Sequence, residues 1–249
     1  MIKVSVVTVT YNSAETIEDT INSVINQDYG NIEYIIIDGV SKDNTLQIVD
    51  KYKHKIAKVI SEKDGGIYDA ISKGINLATG EIVVALNSDD MYASTDVISK
   101  VVEVFKNTHA EAVYGDLNYV DRIDTSKVIR KWKAGNYKKG YFVKGWMPPH
   151  PTFFVKKHCY QKYGTFNLSL KSAADYELML RFIHVHEIKV AYIPKLIVNM
   201  RAGGQSNVSF KNRFKANRED RKAWEINGLK PGMFTLIRKP LSKIKQYFH

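Results

Sequence analysis

The fold is decided by the run Lys3-Val4-Ser5-Val6-Val7-Thr8-Val9-Thr10, which leads directly into Tyr11 and Asn12. β-Branched and apolar residues dominate this run, as they do in a strand that other elements cover on both faces. From Ser13, a candidate helix N-cap, apolar residues recur at helical spacing on one face: Ile17, Ile21, Val24 and Ile25. A buried strand followed by an amphipathic helix predicts the first unit of an α/β fold.

The alternation of strands and helices continues along the chain. The remaining predicted elements are strands at residues 32–38, 57–61, 81–86, 112–119, 128–132, 152–155 and 189–193, and helices at residues 43–54, 66–78 and 174–184. Residues 145–151 are too rich in Pro and Gly for either element and predict a loop. Alternating β and α units predict a mainly parallel, doubly wound sheet with right-handed crossovers.

Polar residues gather where the first four predicted strands end. They are Thr10-Tyr11-Asn12, Asp38, Glu62-Lys63-Asp64 and Asn87-Ser88-Asp89-Asp90. In open α/β sheets, ligands bind beyond the carboxyl ends of the strands. We therefore expect the four clusters to line one binding site.

The adjacent acids Asp89 and Asp90 follow a buried strand. Two neighbouring carboxylates repel each other, so a hard cation such as Mg²⁺ or Mn²⁺, shared with phosphate oxygens, would neutralise them. Taken alone, however, the pair favours a solvated turn that caps the next helix over a cation site.

Five blocks of sequence together resemble the family 2 glycosyltransferases, which have the GT-A fold. They are SVVTVTYN at 5–12, IDGVSKDNT at 37–45, EKDGGIYDA at 62–70, NSDD at 87–90 and AADYELMLR at 173–181. The resemblance covers residues 1–208. It implies a Rossmann-like sheet with flanking helices, divided into a nucleotide-binding half (1–110) and an acceptor-side half (111–208), followed by a helical basic extension (209–249).

The resemblance also implies roles for individual residues. The residues that it implies in binding of the nucleotide-sugar donor are Thr10, Tyr11, Asn12, Glu15, Asp38, Asp64, Asn87, Asp89, Asp90 and Arg201. It assigns a Mn²⁺ or Mg²⁺ ion to Asp89 and Asp90, with Asp89 as the anchor, and leaves open which of the two binds the metal directly. His150 and Trp146 would contact the diphosphate or the acceptor, or else serve only in packing.

The implied reaction is an inverting, metal-dependent transfer of a hexose or N-acetylhexosamine in bacterial cell-surface polysaccharide synthesis. The donor is expected to be a uridine diphosphate sugar, with thymidine as the alternative base, and the acceptor a lipid-linked or polysaccharide glycan. Asp175 would be the general base that takes the proton of the acceptor hydroxyl. Glu177 is the next candidate for that base.

Three positions depart from the usual family pattern. Asn87 stands where many relatives carry the first acid of an Asp-x-Asp motif, Gly39 replaces a frequent acid, and Ser72 replaces a frequent Asn. We expect Asn87 to weaken metal affinity and the other two to alter donor choice. Arg201 and residues 203–206 resemble a mobile loop that closes over the donor and excludes water.

Charge and cysteine content suggest where the protein acts. Of the formal net charge of +11, residues 209–249 carry eleven Lys and Arg against three Asp and Glu, a net +8. Such a tail predicts attraction to an anionic membrane surface, with packing on the domain or a homodimer contact as the alternatives. The single Cys159, the short apolar start and the lack of a membrane-spanning stretch predict a cytoplasmic protein, peripheral at the inner face of the cell membrane.

Three other functions fit the sequence less well. A nucleic-acid-binding protein would use the tail's aromatic and basic residues, but the first 208 residues carry no basic stripe, so no nucleic acid is expected. A dinucleotide-dependent oxidoreductase would carry a Gly-x-Gly-x-x-Gly motif after the first strand, and this sequence has none there. A relative that binds sugar nucleotide without turnover is disfavoured because Asp89, Asp90 and Asp175 are all present.

Overall fold

The computed structural model describes residues 1–203 and 210–230, with side chains in the second range described from residue 218 onward. The expected donor-covering loop at 204–206 and the tail at 231–249 lie outside the described residues. Among the described helices, none is long and apolar enough to cross a membrane.

The first half of the chain forms the parallel part of the sheet. Its elements are β1 (Val4–Thr10), α1 (Ile17–Ile25), β2 (Ile32–Asp38), α2 (Thr45–Lys51), β3 (Lys58–Ser61), α3 (Ile67–Leu77) and β4 (Ile82–Ala85). The strands lie in the order β3-β2-β1-β4, and all neighbours are parallel. Every residue of β1 is buried, as expected for a central strand. Gly74 lets α3 lie close to β1, since a Cβ there would stand 2.2 Å from Val7 Cγ1.

The second half extends the same sheet. Its elements are β5 (Asp90–Tyr92), α4 (Val97–Asn107), β6 (Ala112–Val120), β7 (Val128–Trp132), β8 (Phe154–Lys156), α5 (Lys157–Tyr163), α6 (Ala174–Met179), β9 (Val190–Arg201) and α7 (Phe210–Ile226). The order continues β4-β8-β6-β9-β5, and β7 also pairs with β6. β9 is parallel to β6, whereas β8, β5 and β7 are antiparallel to their neighbours. The result is a curled, mostly parallel sheet with flanking helices, as predicted.

Several predicted boundaries were wrong. α1 begins at Ile17, because residues 14–16 form a turn in which the Ser13 carbonyl accepts the N–H groups of Thr16 and Ile17. The helix at 43–54 is shorter, and β9 continues to Arg201 because it pairs with both β6 and β5. The helix predicted at 174–184 ends as α-helix at Met179 and continues as a wider π-helical turn.

The described part of the basic extension packs on the domain. Trp224 is 2% exposed, and its indole N–H donates to the Tyr176 hydroxyl at 2.9 Å. The Asn227 amide donates to Glu177, and the Ser172 N–H and hydroxyl donate to the Glu219 carboxylate. These contacts hold α7 against the start of α6.

Candidate functional site

The loops after β1 and β2 are joined by hydrogen bonds. Asn12 has a left-handed φ of 49°, and its N–H donates to Ser41 Oγ at 2.8 Å. In return, the Lys42 N–H donates to Asn12 Oδ1, also at 2.8 Å. Thr10 is buried beneath this junction, whereas the Tyr11 side chain beside it is exposed. The arrangement presents an aromatic ring at the carboxyl edge of the sheet.

Asp38 is the buried anchor of the same region. It is 0% exposed and accepts three hydrogen bonds: from the Ser41 N–H at 3.0 Å, the Ser41 hydroxyl at 2.5 Å and the Ser61 hydroxyl at 2.6 Å. Its carboxylate therefore ties the turn after β2 to the end of β3. In this arrangement Asp38 fixes the floor of the site and does not itself face solvent.

Gly39 and Asp64 form the next part of the edge. A Cβ at Gly39 would stand 2.8 Å from Asp64 Oδ2 and 3.4 Å from the Tyr11 ring. Asp64 in turn accepts the Gly66 N–H at 2.8 Å, in the turn before α3. The glycine that departs from the family pattern thus leaves room for Asp64 to lie close to Tyr11.

The acidic turn, residues 87–90, follows β4. Asp90 is 1% exposed, and the Asn87 amide donates to its carboxylate at 3.3 Å. Burial, together with the neighbouring charge of Asp89, raises the pKa of Asp90 well above its usual range. Burial also raises the pKa of Asp89, against the opposing influence of Arg122, Arg201 and His150. Two adjacent carboxyls, one buried and one half-buried, beside the Asn87 amide fit a hard divalent cation.

Arg201 braces the acidic turn from β9. It is 4% exposed and donates to the Asp19 carboxylate, to the Asp89 carbonyl at 3.2 Å and to the Arg122 carbonyl at 3.2 Å. The Arg122 guanidinium meets Glu15 Oε2 at 3.6 Å. Arg201 thus contacts the acidic turn directly as a buried brace, whereas the exposed Glu15 is linked to it only through Arg122.

Asp175 lies in the first turn of α6. The Tyr68 hydroxyl donates to Asp175 Oδ1 at 3.2 Å, and His150 Nδ1 lies 3.4 Å from Asp175 Oδ2. Burial and the Asp175 charge raise the pKa of Tyr68, so this hydroxyl stays a donor at every physiological pH. His150 is also close enough to lower the pKa of Asp89. One histidine thereby connects the helix-borne carboxylate with the acidic turn.

Trp146 lies in the loop before His150 and packs among other aromatic side chains. Its indole N–H donates to the Ala134 carbonyl at 2.8 Å. Its ring is tilted against Tyr137 with centroids 5.2 Å apart and meets Tyr114 edge-on at 5.7 Å. These contacts fix the loop that carries His150.

The structure adds residues that the sequence alone did not single out: Asp19, Ser41, Ser61, Tyr68 and Arg122. Ser41 and Tyr68 lie inside the family-like blocks 37–45 and 62–70. The sequence therefore marked the segments that contain them but not the roles of the two residues. Asp19 and Arg122 lack any local signal, since their contacts with Arg201 span 182 and 79 positions of the chain.

Comparison with protein families gives a match over most of the domain. The model described as Glycosyl transferase family 2 matches residues 5–157. An uncharacterized glycosyltransferase of Mycobacterium tuberculosis is 30% identical over 186 residues, covering 72% of this chain and 68% of the relative. A PGL/p-HBAD biosynthesis glycosyltransferase of Mycobacterium bovis is 26% identical over 214 residues, covering 84% of this chain and 81% of the relative.

Solved structures share the fold. Staphylococcus aureus TarS (residues 1–349) in complex with UDP superposes with a TM-score of 0.69 at 19% identity, covering 96% of this chain and 70% of TarS. A mannosyltransferase of Pyrobaculum calidifontis, in complex with GDP-Man and Mn²⁺, superposes with a TM-score of 0.67 at 20% identity, covering 95% of this chain and 68% of the other. At these identities the likeness establishes the GT-A fold.

Proposed function

The chain belongs to glycosyl transferase family 2, and we propose that it transfers a sugar from a uridine diphosphate donor to a glycan hydroxyl with inversion at the anomeric carbon. One observation carries the proposal. His150 lies 3.4 Å from Asp175 and also acts electrostatically on Asp89, so a potential base and a potential cation site share one cleft.

The donor's nucleoside would bind at the ends of β1, β2 and β3. Tyr11 offers an exposed aromatic face for the base, and Asn12 and Asp64 line the same edge. Asp38 would act through the turn that it holds. TarS was solved with UDP and with UDP-GlcNAc, which supports a uridine nucleotide, with thymidine as the alternative base.

The donor's diphosphate would lie against the acidic turn. Asp89, the less buried of the two acids, would offer an oxygen to a Mn²⁺ or Mg²⁺ ion, with Asp90 adding charge beneath it. Such an ion, when bound, neutralises negative charge on the leaving diphosphate. The Mn²⁺ complex of the Pyrobaculum mannosyltransferase supports this choice of cation. Arg201 would keep the turn in place from behind.

Asp175 would remove the proton from the acceptor hydroxyl as its oxygen attacks the anomeric carbon. The Tyr68 hydrogen bond fixes Oδ1 and leaves the orientation of the carboxylate defined. Glu177 is unsuited to this role, because it is 1% exposed and both of its oxygens accept hydrogen bonds from Arg181. A single displacement with one base inverts the anomeric configuration.

The acceptor would be a lipid-linked or polymeric glycan, and the sugar a hexose or N-acetylhexosamine. The mycobacterial relative named for PGL/p-HBAD biosynthesis supports a role in a biosynthetic glycosylation step. Such an acceptor fits a protein held at the inner membrane face through the basic extension. Trp224, in the described part of this extension, donates a hydrogen bond to Tyr176, so that part also packs against the rest of the protein.

Incubation with a panel of sugar nucleotides, with release of nucleotide diphosphate as the readout, tests the function. Asp175→Asn keeps the shape of the side chain but removes the proton acceptor, and we expect turnover to fall roughly 10²-fold with donor affinity unchanged. Asp50→Asn, at an exposed helical position, is the matched control. Tight donor binding without any turnover in the parent protein would instead identify a sugar-nucleotide-binding relative.

A further inference from the structure

Three metal-ligating side chains meet at the end of the sheet opposite the cleft. Glu111 directly precedes β6, and His158 and Cys159 stand in the first turn of α5. The acidic turn lies near the other end of β6, where Val120 pairs with Arg201. Since β6 has nine residues, the two places are separated by roughly 25–30 Å of strand. This cluster is therefore independent of the proposed donor site.

The three donor atoms converge. His158 Nε2 lies 3.1 Å from Glu111 Oε1 and 3.6 Å from Cys159 Sγ, and Cys159 Sγ lies 3.9 Å from Glu111 Oε1. Each residue thus offers one atom to a common point, within 4.8 Å of the other two.

These separations suit one metal in particular. Tetrahedral Zn²⁺ binds sulfur at about 2.3 Å and nitrogen or oxygen at about 2.0–2.1 Å, so its ligand atoms stand about 3.3–3.6 Å apart. The observed distances of 3.1, 3.6 and 3.9 Å bracket that range and need shifts of only a few tenths of an ångström. A thiol and an imidazole are poor ligands for Mg²⁺ but good ones for Zn²⁺.

We propose that Glu111, His158 and Cys159 form a zinc site that joins the start of α5 to the start of β6, with water as the fourth ligand. Glu111 is held for this role, because its other oxygen accepts the Lys189 N–H at 3.0 Å. Cys159 is buried, whereas the His158 side chain is 53% exposed and gives an ion a way in. The contacts of His158 with Glu111 and Cys159 therefore hold the three ligands near one another before an ion binds.

Cobalt(II) substitution tests the site directly, because Cys159 is the single cysteine of the chain. A thiolate-to-cobalt charge-transfer band can arise from this residue alone, so cobalt bound at the acidic turn does not contribute to it. We expect one equivalent of Co²⁺ to produce that band together with tetrahedral ligand-field bands, and one equivalent of Zn²⁺ to displace them. Mg²⁺ at the same concentration should not.

Matched variants complete the test. His158→Gln, at an exposed position, should weaken Zn²⁺ binding at least tenfold while the protein stays folded. His54→Gln, in an exposed turn far from the cluster, should bind as the parent does. Absence of the thiolate band in the parent, or equal zinc affinity in His158→Gln, would overturn the proposal. Neither outcome bears on the glycosyltransferase reaction, which is measured with Mn²⁺ or Mg²⁺.

Discussion

Replacing Asp38 by alanine removes the carboxylate that ties β2 to the turn at Ser41 and to Ser61. Three hydrogen bonds to one fully buried side chain are lost. Bonds to a charged acceptor contribute about 1.5–3 kcal/mol each when their donors stay buried. Here Ser41 is partly exposed and Ser61 is exposed, so both regain water, and about 1 kcal/mol per bond is the better figure.

The expected loss of unfolding free energy is therefore about 3 kcal/mol. For a protein of this size each kcal/mol lowers Tm by about 2–4 °C, so the Asp38→Ala variant should melt about 6–12 °C below the parent. Urea denaturation at neutral pH measures the same difference as a free energy. Asp38→Asn keeps an acceptor oxygen and should lose about 1 kcal/mol.

The same substitution should weaken donor binding, because the turn that it releases also holds Asn12 through Ser41. Asp50→Ala serves as the control for removing a carboxylate, since Asp50 is exposed and pairs only with Lys53 among the salt bridges of the described residues. A Tm for Asp38→Ala within about 2 °C of the parent would refute the reasoning that these three bonds hold the turn.

Three further predictions concern other contacts of the site. The pKa of Asp90 is raised in the folded protein, so ionising this carboxyl lowers the stability as pH rises above the ordinary aspartate value of 3.8. Asp90→Asn should therefore be more stable than the parent at neutral pH in EDTA. The difference should shrink as pH falls toward 3.8, and urea titrations at several pH values measure it. Tyr68→Phe removes the hydrogen bond to Asp175 and should lower turnover about tenfold without changing donor affinity, as measured by steady-state kinetics beside calorimetry. Trp224→Phe loses the bond to Tyr176 and should lower the unfolding free energy by about 1–2 kcal/mol, whereas unchanged stability would mean that α7 contributes little to the domain.

The parallel half of the fold followed from local pattern. β2 has the predicted bounds, β1 begins one residue later than predicted, and β4 is one residue shorter at each end. These strands are continuous apolar or β-branched runs, and burial on both faces leaves such a signature in the sequence. The polar clusters at the strand ends likewise came together at one edge of the sheet.

Other features depend on partners far along the chain. β5 has three residues and exists because Asp90–Tyr92 pairs with β9, more than a hundred positions later. Arg201 was expected in a loop over the donor, but its place at the end of a strand that crosses behind the acidic turn makes it a buried brace. Periodicity within a window cannot reveal either arrangement, because the deciding contacts are long-range.

The role of the acidic turn is tested most directly by titrating uridine diphosphate into the protein in a calorimeter, first with Mn²⁺ and then with excess EDTA. The adjacent carboxyls of half-buried Asp89 and buried Asp90 should bind the nucleotide through a cation that offsets their charge and that of the diphosphate. We predict that chelation weakens binding at least about tenfold, or 1.4 kcal/mol, and that Asp89→Ala removes this dependence on the cation. Equal affinity in Mn²⁺ and in EDTA would contradict the account.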